Sequence, residues 1–365
     1  MNGSKQIPFN NLGRQFLLHE KELTDAYTRV VKTGRLLDGR YTEEFENWLA
    51  VKNHQPYAVT CHSGANALEI IASYYKENGK YALLPTYTFP ATINAFVNAG
   101  WDIFLADCDD DGVIMPPDEH AFDIIVGVGL HGIALPERLD QGCLVEDGAQ
   151  HWLSDNCNRM STATAISFDP TKNLPNYGNG GAVVTSDDDL YEFALNYRSH
   201  GKRFLHLLPG SNSRMSEMDC AMLLAKTQYL DAWQERRKQI AIKWINAFKD
   251  AGIDTMINDN NIETHGLHKF VIRIDDQERV LNELHQCGID ARIHYREPLH
   301  TVGLFAALPY QGGETCKQLS RTSISLPFYP ELTDSEVDFI ADKVCQIVHA
   351  ANPTHNLISD YQSHQ

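Results

Sequence analysis

From residue 57 the chain alternates short apolar runs with amphipathic stretches. YAVT (57–60) reads as a strand, and GANALEIIASYY then carries Ala67, Ile70, Ile71, Tyr74 and Tyr75 at helical spacing. YALLP is again strand-like. PATINAFVNAG opens on Pro90 and closes on Gly100, the usual punctuation of a helix, and DIFLAD returns to strand. FDIIVGVG and CLVED follow as apolar runs bounded by polar residues. Strands this apolar, separated by helices, predict a parallel sheet covered on both faces.

The stretch ISFDPTKNLPNYGNGGAVVTSDDD (166–189) reads strand, loop, strand. Ala165, Ile166 and Phe168 precede the loop, Ala182, Val183 and Val184 follow it, and between these runs Pro170, Pro175 and three glycines exclude a continuous helix. A helical region is expected over roughly 216–249, with Met218, Met222, Leu223, Leu230 and Trp233 among its apolar positions. The pattern then changes. HKFVIRI alternates Phe270, Ile272 and Ile274, QERVLNELHQCGI is helical, DARIHY is extended, and SISLPFYP precedes a last helix. That helix opens on the capping-box pattern Thr333-Asp334-Ser335-Glu336 and is striped by Val337, Ile340, Val344 and Val348. The expected architecture is α/β: a large domain over 1–235 with a mostly parallel, helix-covered sheet, a smaller C-terminal α+β domain over 236–352, and a polar tail over 353–365.

Composition narrows the function classes. Of 365 residues, 43% are hydrophobic and 22% charged, an ordinary globular balance. The net charge of −17 argues against nucleic acid and against an anionic membrane surface as partners, while leaving room for a local basic pocket. No apolar run is long enough to span a bilayer, and the first residues lack the apolar stretch of a secretory leader, so a cytoplasmic location is expected. The eight cysteines stand singly, without CxxC or zinc-ligand spacing, and read as reduced residues. His62, His131, His151, His200, His206, His294 and His300 form no HExxH or comparable pattern, so no metal site is expected.

In open α/β sheets, ligands bind beyond the carboxyl ends of the strands. After AVT comes CHSGANAL, a small-residue turn opening a helix, where free backbone N–H groups suit a phosphate; alone, such a glycine is usually conformational. After LLP comes TYTFPAT, placing Tyr87 and Phe89 at the same edge, either as core or as a surface for a flat ligand. After CLVE comes DGAQ, with Asp147 and Gln150. Lys172 sits in the proline-stiffened loop that follows ISF. A desolvated lysine there has a lowered pKa and becomes an amine nucleophile. Together these meet the needs of pyridoxal 5'-phosphate: a lysine for the Schiff base, a carboxylate for the ring nitrogen, a phosphate cradle and an aromatic against the ring.

The motifs also carry a resemblance. IPFNNLGRQF, SGANAL, PTYTFPATINAFVNAG, VEDGAQ, SFDPTKNLPNYGNGGAVV, RSHG, GSNSRMSEMDCAM, HYREPLH and SLPFYPELT, in that order over nearly the full length, resemble the DegT/DnrJ/EryC1/StrS sugar aminotransferases. These form a branch of the aspartate-aminotransferase-like, fold-type I pyridoxal-phosphate enzymes. The resemblance implies that Lys172 holds the cofactor as a Schiff base and shuttles the proton. It implies that Asp147 pairs with the ring nitrogen, Gln150 contacts the ring hydroxyl and Phe89 stacks on the ring. Ser167 and the turn at Gly64, Ala65 and Asn66 would hold the phosphate. Asn212 would reach the phosphate across a dimer interface, making the enzyme a homodimer with shared active sites.

Three positions depart from the family pattern. Ala65 stands where a threonine is usual and removes a hydroxyl contact to the phosphate. Asn179 replaces an acid but leaves the turn's glycines in place, and Asp169 replaces an aromatic or histidine beside the substrate. The implied reaction moves an amino group from L-glutamate to a keto-sugar, expected to be nucleotide-linked, with Lys172-Asn173-Leu174 leaning towards 3-keto substrates. A sugar dehydratase and a non-catalytic cofactor- or nucleotide-sugar-binding regulator remain open; the dehydratase pattern replaces the lysine with histidine. The roles of His294, Tyr295 and His300 are not assigned.

Overall fold

The structure is a computed structural model and describes residues 6–117, 122–140, 144–202, 206, 208 and 210–351. The expected tail at 353–365 and Cys143 lie outside the described residues. Three helices precede the first strand, a region for which the hydrophobic pattern suggested no elements: α1 (Leu12–Leu18), α2 (Glu20–Thr33) and α3 (Arg40–Lys52). The expected alternation follows as β1 (Tyr57–Cys61), α4 (Gly64–Lys76), β2 (Tyr81–Pro85), α5 (Pro90–Asn98), β3 (Asp102–Ala106), β4 (Ile124–Val128), β5 (Leu144–Asp147), β6 (Ala163–Ser167), β7 (Gly181–Thr185) and α6 (Asp188–Tyr197).

With β10 (Tyr310–Gln311), these strands form an eight-stranded sheet in the order β1-β7-β6-β5-β4-β2-β3-β10. β7 is antiparallel to β1 and β6, and the other neighbours are parallel. The sheet is therefore mostly parallel, and β1, β2, β4, β5 and β6 end on one edge, where β7 begins. Both faces are covered, which explains the continuous apolar strands. On β7, Val183 joins a core with Ile70 and Phe96 of α4 and α5. Its neighbours Ala182 and Val184 face the other way, into a core with Phe45 and Leu49 of α3.

The single long helix expected over 216–249 is two helices, α7 (Glu217–Thr227) and α8 (Leu230–Asp250). At the break, Tyr229 stacks on His19 with ring centroids 3.9 Å apart. Beside it, Lys226 donates to the Pro175 carbonyl at 2.7 Å. These long-range contacts leave no glycine or proline signal. A second, antiparallel sheet follows, built from β8 (Asp254–Thr255), β9 (Phe270–Arg273) and β11 (Ser323–Leu326) in the order β11-β9-β8. Trp244, Phe248, Phe270 and Phe328 are buried in its core, together with residues of α9 (Gln277–Gln286) and α10 (Asp334–Ala351).

The capping box forms as expected. Thr333 Oγ1 accepts the Glu336 N–H at 3.2 Å, and Glu336 Oε2 accepts the Thr333 N–H at 3.0 Å. DARIHY is not a continuous strand: Arg292 makes an isolated bridge to Ser325. The segments 1–235 and 236–352 also exchange elements. β10 pairs with β3 in the larger sheet, and Ile7 is buried in the core of the smaller one.

Candidate active site

The site begins where α4 meets the edge of the large sheet. Ser63 caps α4, its Oγ accepting the Asn66 N–H at 3.2 Å, and the first i to i−4 bond runs from Ala67 N–H to Ser63 O at 3.0 Å. The amides of Gly64 and Ala65 precede that bond, at the positive end of the helix. Glycine is required here by close approach. A Cβ on Gly64 would lie 2.7 Å from Ser167 Cβ, and one on Gly181 would lie 2.5 Å from the Gly64 nitrogen. The two glycines press the start of α4 against the β6–β7 edge and bring Ser167 beside the free amides.

Lys172 follows β6. Its backbone N–H bonds to Asp169 O at 2.9 Å, and Asn176 N–H returns to Phe168 O at 2.8 Å, which folds the loop back over the sheet edge. Asn173 anchors the loop from outside: its Nδ2 donates to Gln234 Oε1 and to Gly266 O, both at 2.8 Å. Asn173 and the fully buried Leu174 therefore serve the position of Lys172 and do not line the cavity. Lys172 is half-buried as a residue and lines a cavity of about 460 Å³. Desolvation lowers its pKa below the ordinary lysine value, opposed by Asp169 and Asp147.

Asp147 is the last residue of β5 and lies in the same cavity. Its Oδ2 accepts the Thr92 hydroxyl at 2.7 Å, and its Oδ1 accepts the Ala149 N–H at 3.2 Å. Thr92 comes from α5 and was not anticipated. Gln150 is fixed on two sides: Oε1 accepts the His131 N–H at 2.9 Å, and Nε2 donates to the Tyr295 hydroxyl at 3.3 Å.

Directly behind lies a buried cluster of Glu146, His151 and Cys157, whose ligand-type atoms fall within 4.8 Å of one another. It is satisfied by hydrogen bonds alone. Gly129 N–H donates to His151 Nδ1 at 3.0 Å, so the ring proton sits on Nε2 and is given to Glu146 at 2.9 Å. The Cys157 thiol donates to the same carboxylate at 3.1 Å. Burial alone would raise the Glu146 pKa, but the bonds from His151 and Cys157 outweigh it and hold the carboxyl below its usual value. The cluster braces the turn that carries Asp147 and Gln150.

Phe89 stands at the cavity 55% exposed, unusual for a phenylalanine, and 6.0 Å from the Tyr295 ring. Tyr87, its candidate companion, is instead fully buried core, its hydroxyl donating to His294 O at 2.8 Å. His294 and Tyr295 line the cavity, whereas His300 lies outside it, stacked on Tyr310 at 3.8 Å. The cavity thus gathers Gly64, Ala65, Phe89, Asp147, Gln150, Ser167 and Lys172 of the expected set. Two expected residues stand apart. Asn66 turns its side chain to Glu69 at 3.3 Å, its backbone amide already taken by the cap. Asn212 is exposed and bridges to Ser199. Lys269 and Arg292 also line the cavity and were not singled out from the sequence.

This donor set fits pyridoxal phosphate. Two free amides and a hydroxyl at a helix N-terminus suit a phosphate, a buried carboxylate suits a protonated ring nitrogen, and a desolvated amine suits an aldehyde.

Comparison with known proteins agrees. The sequence model of the DegT/DnrJ/EryC1/StrS aminotransferase family matches residues 18–123 and 143–345. A dTDP-3-amino-3,4,6-trideoxy-alpha-D-glucose transaminase of Streptomyces venezuelae is 29% identical over 362 residues, covering 93% of this chain and 95% of its own. A "pleiotropic regulatory protein" of Geobacillus stearothermophilus is 26% identical over 364 residues, covering 93% of this chain and 98% of its own. Among solved structures, S. venezuelae DesV in complex with a ketimine intermediate superposes with a TM-score of 0.85 at 26% identity, covering 93% of this chain and 98% of that one. The chain belongs to the DegT/DnrJ/EryC1/StrS aminotransferase family.

Proposed function

We propose that this aminotransferase moves an amino group from L-glutamate to a nucleotide-linked keto-sugar, with the carbonyl at C3. The observation that carries the reading is the meeting of Lys172, Asp147 and the α4 phosphate cradle in one cavity. Pyridoxal 5'-phosphate is the cofactor and supplies an aldehyde and an electron-withdrawing ring when bound. Lys172 Nζ would hold the aldehyde, and Gly64, Ala65 and Ser167 the phosphate. Freed once the donor amine has taken its place, Lys172 Nζ would take the proton from the donor's α-carbon and deliver it, from the same face, to the carbon at the other end of the C–N–C unit. Asp147, fixed by Thr92 and the Ala149 amide, would hold the ring nitrogen in its protonated state. Phe89 would stack on the ring, with Tyr295 beside it in the cavity lining.

The C3 assignment is supported by the names of several relatives, including the S. venezuelae transaminase and a UDP-2-acetamido-2-deoxy-3-oxo-D-glucuronate aminotransferase of Pseudomonas aeruginosa, 28% identical. Its test is turnover of paired 3-keto and 4-keto nucleotide sugars by the glutamate-loaded enzyme. Turnover of the 3-keto member alone is expected, and exclusive use of the 4-keto member would overturn the assignment.

The enzyme is further proposed to be a homodimer in which Asn212 completes the partner's phosphate site. Asn212 is exposed and absent from its own chain's cavity lining, and Leu17, Leu18, Tyr27, Val31, Leu36 and Leu37 present exposed apolar surface. Sedimentation at micromolar concentration should give twice the chain mass. A fully active monomer would refute the shared site.

A further inference from the structure

We propose that Lys269 is the binding group for the carboxylate that the amino donor carries on its reacting carbon. The assignment rests on the transaminase reading above and adds a residue and a ligand group to it. Lys269 precedes β9, is 6% exposed, and lines the same cavity as Lys172. Its Nζ lies 2.7 Å from His268 Nε2 and 3.4 Å from Gln150 Oε1.

The histidine tautomer follows from its other neighbour. Asn173 spends its Nδ2 on Gln234 and Gly266, so its Oδ1 accepts from His268 Nδ1 at 3.1 Å. His268 Nε2 is then the bare nitrogen that accepts from Lys269. An ammonium at this position gives two of its three hydrogens to neutral partners and keeps one unspent. No carboxylate lies within ion-pair distance of it among the described residues.

A buried cation with only neutral partners is unfavourable, and a ligand carboxylate beside it removes that cost. Burial, above all, and the neighbouring Lys172 push the Lys269 pKa well below its ordinary value, and a carboxylate bound beside it would restore the ammonium. Reaction geometry says which one. The donor's α-carbon must come to Lys172 Nζ, and its carboxylate is attached to that same carbon, so the carboxylate falls within the cavity both lysines share. Arg292, the other cation lining the cavity, is less suited. It is ion-paired with Asp290 at 2.8 Å and stacked over Phe9 at 4.8 Å.

The test uses the holoenzyme with added pyridoxal phosphate and the variants Lys269→Met and Lys269→Arg. Gln150 keeps its bonds to His131 and Tyr295 in both, so each should retain the cofactor's visible band. Calorimetric titration with glutarate, an unreactive dicarboxylate, reads binding without turnover. Lys269→Met should weaken glutarate about 10- to 100-fold, the loss of one charge-assisted bond, and raise the half-saturating L-glutamate concentration in the same proportion. Lys269→Arg should recover most of both. Unchanged constants in a Lys269→Met protein that keeps its band would overturn the assignment. So would an unchanged glutarate constant with weakened turnover of an acid-bearing keto-sugar, which would move the cation's role to the acceptor. A wild-type protein that forms no band would instead remove the transaminase reading itself, and this assignment with it.

Discussion

Lys172→Ala is expected to slow amino-group removal from L-glutamate by about 10⁴-fold, the upper range for loss of a positioned proton carrier. Two features of the structure make the loss large. Desolvation lowers the Lys172 pKa, which favours the free amine that can attack an aldehyde or take a proton. The loop also fixes the amine's position, through the Asp169 and Phe168 backbone bonds and the Asn173 anchor. Among the described residues the second lysine at the cavity, Lys269, is tied to His268 at 2.7 Å and is not free to replace it. Because the phosphate cradle is untouched, the variant should still retain pyridoxal phosphate, without its lysine-linked visible band. Release of the keto acid from L-glutamate, followed in both proteins, measures the rate. A variant within tenfold of wild type would mean that another group moves the proton.

Asp147→Asn should be the next most damaging change, slowing the same half-reaction by roughly 10²- to 10³-fold, as expected for removing a fixed charge from a site where charge develops. The substitution is nearly isosteric: the carboxamide oxygen can still accept the Ala149 N–H, and the new Nδ2 can donate to the Thr92 hydroxyl oxygen, so the fold should persist. What disappears is the negative charge that favours a proton on the ring nitrogen. Cofactor retention with a slow half-reaction is therefore expected. A normal rate in Asp147→Asn would place the ring nitrogen's partner elsewhere.

The strand-end residues were legible because local chemistry marks them. Asp147, Ser167 and Lys172 each follow an apolar β run, and prolines and glycines set where those runs stop. The α4 cradle was legible for the same reason, though only the structure shows why Gly64 and Gly181 must be glycine. What escaped depends on distant contacts. The break between α7 and α8 is occupied by a tyrosine stacked on His19, far away in sequence. α2 buries only Leu23, Ala26 and Val30 among many charged positions, a stripe too thin to read. Asn66 was expected at the phosphate, but the Ser63 cap takes its amide and Glu69 its side chain. Asn173, read from the sequence as part of a mark of substrate preference, also anchors the Lys172 loop to Gln234 and Gly266. Lys269 sits one residue before an alternating strand, and it lines the cavity where its backbone N–H bonds to His131 O at 2.9 Å, a contact between segments distant in sequence.

The most direct measurement is the visible absorption spectrum of the purified protein with pyridoxal phosphate, before and after L-glutamate. A yellow band that forms on reconstitution and bleaches with glutamate is expected, since Lys172, Asp147 and the α4 cradle share one cavity. No band, or a band indifferent to every amino donor, would contradict the transaminase reading.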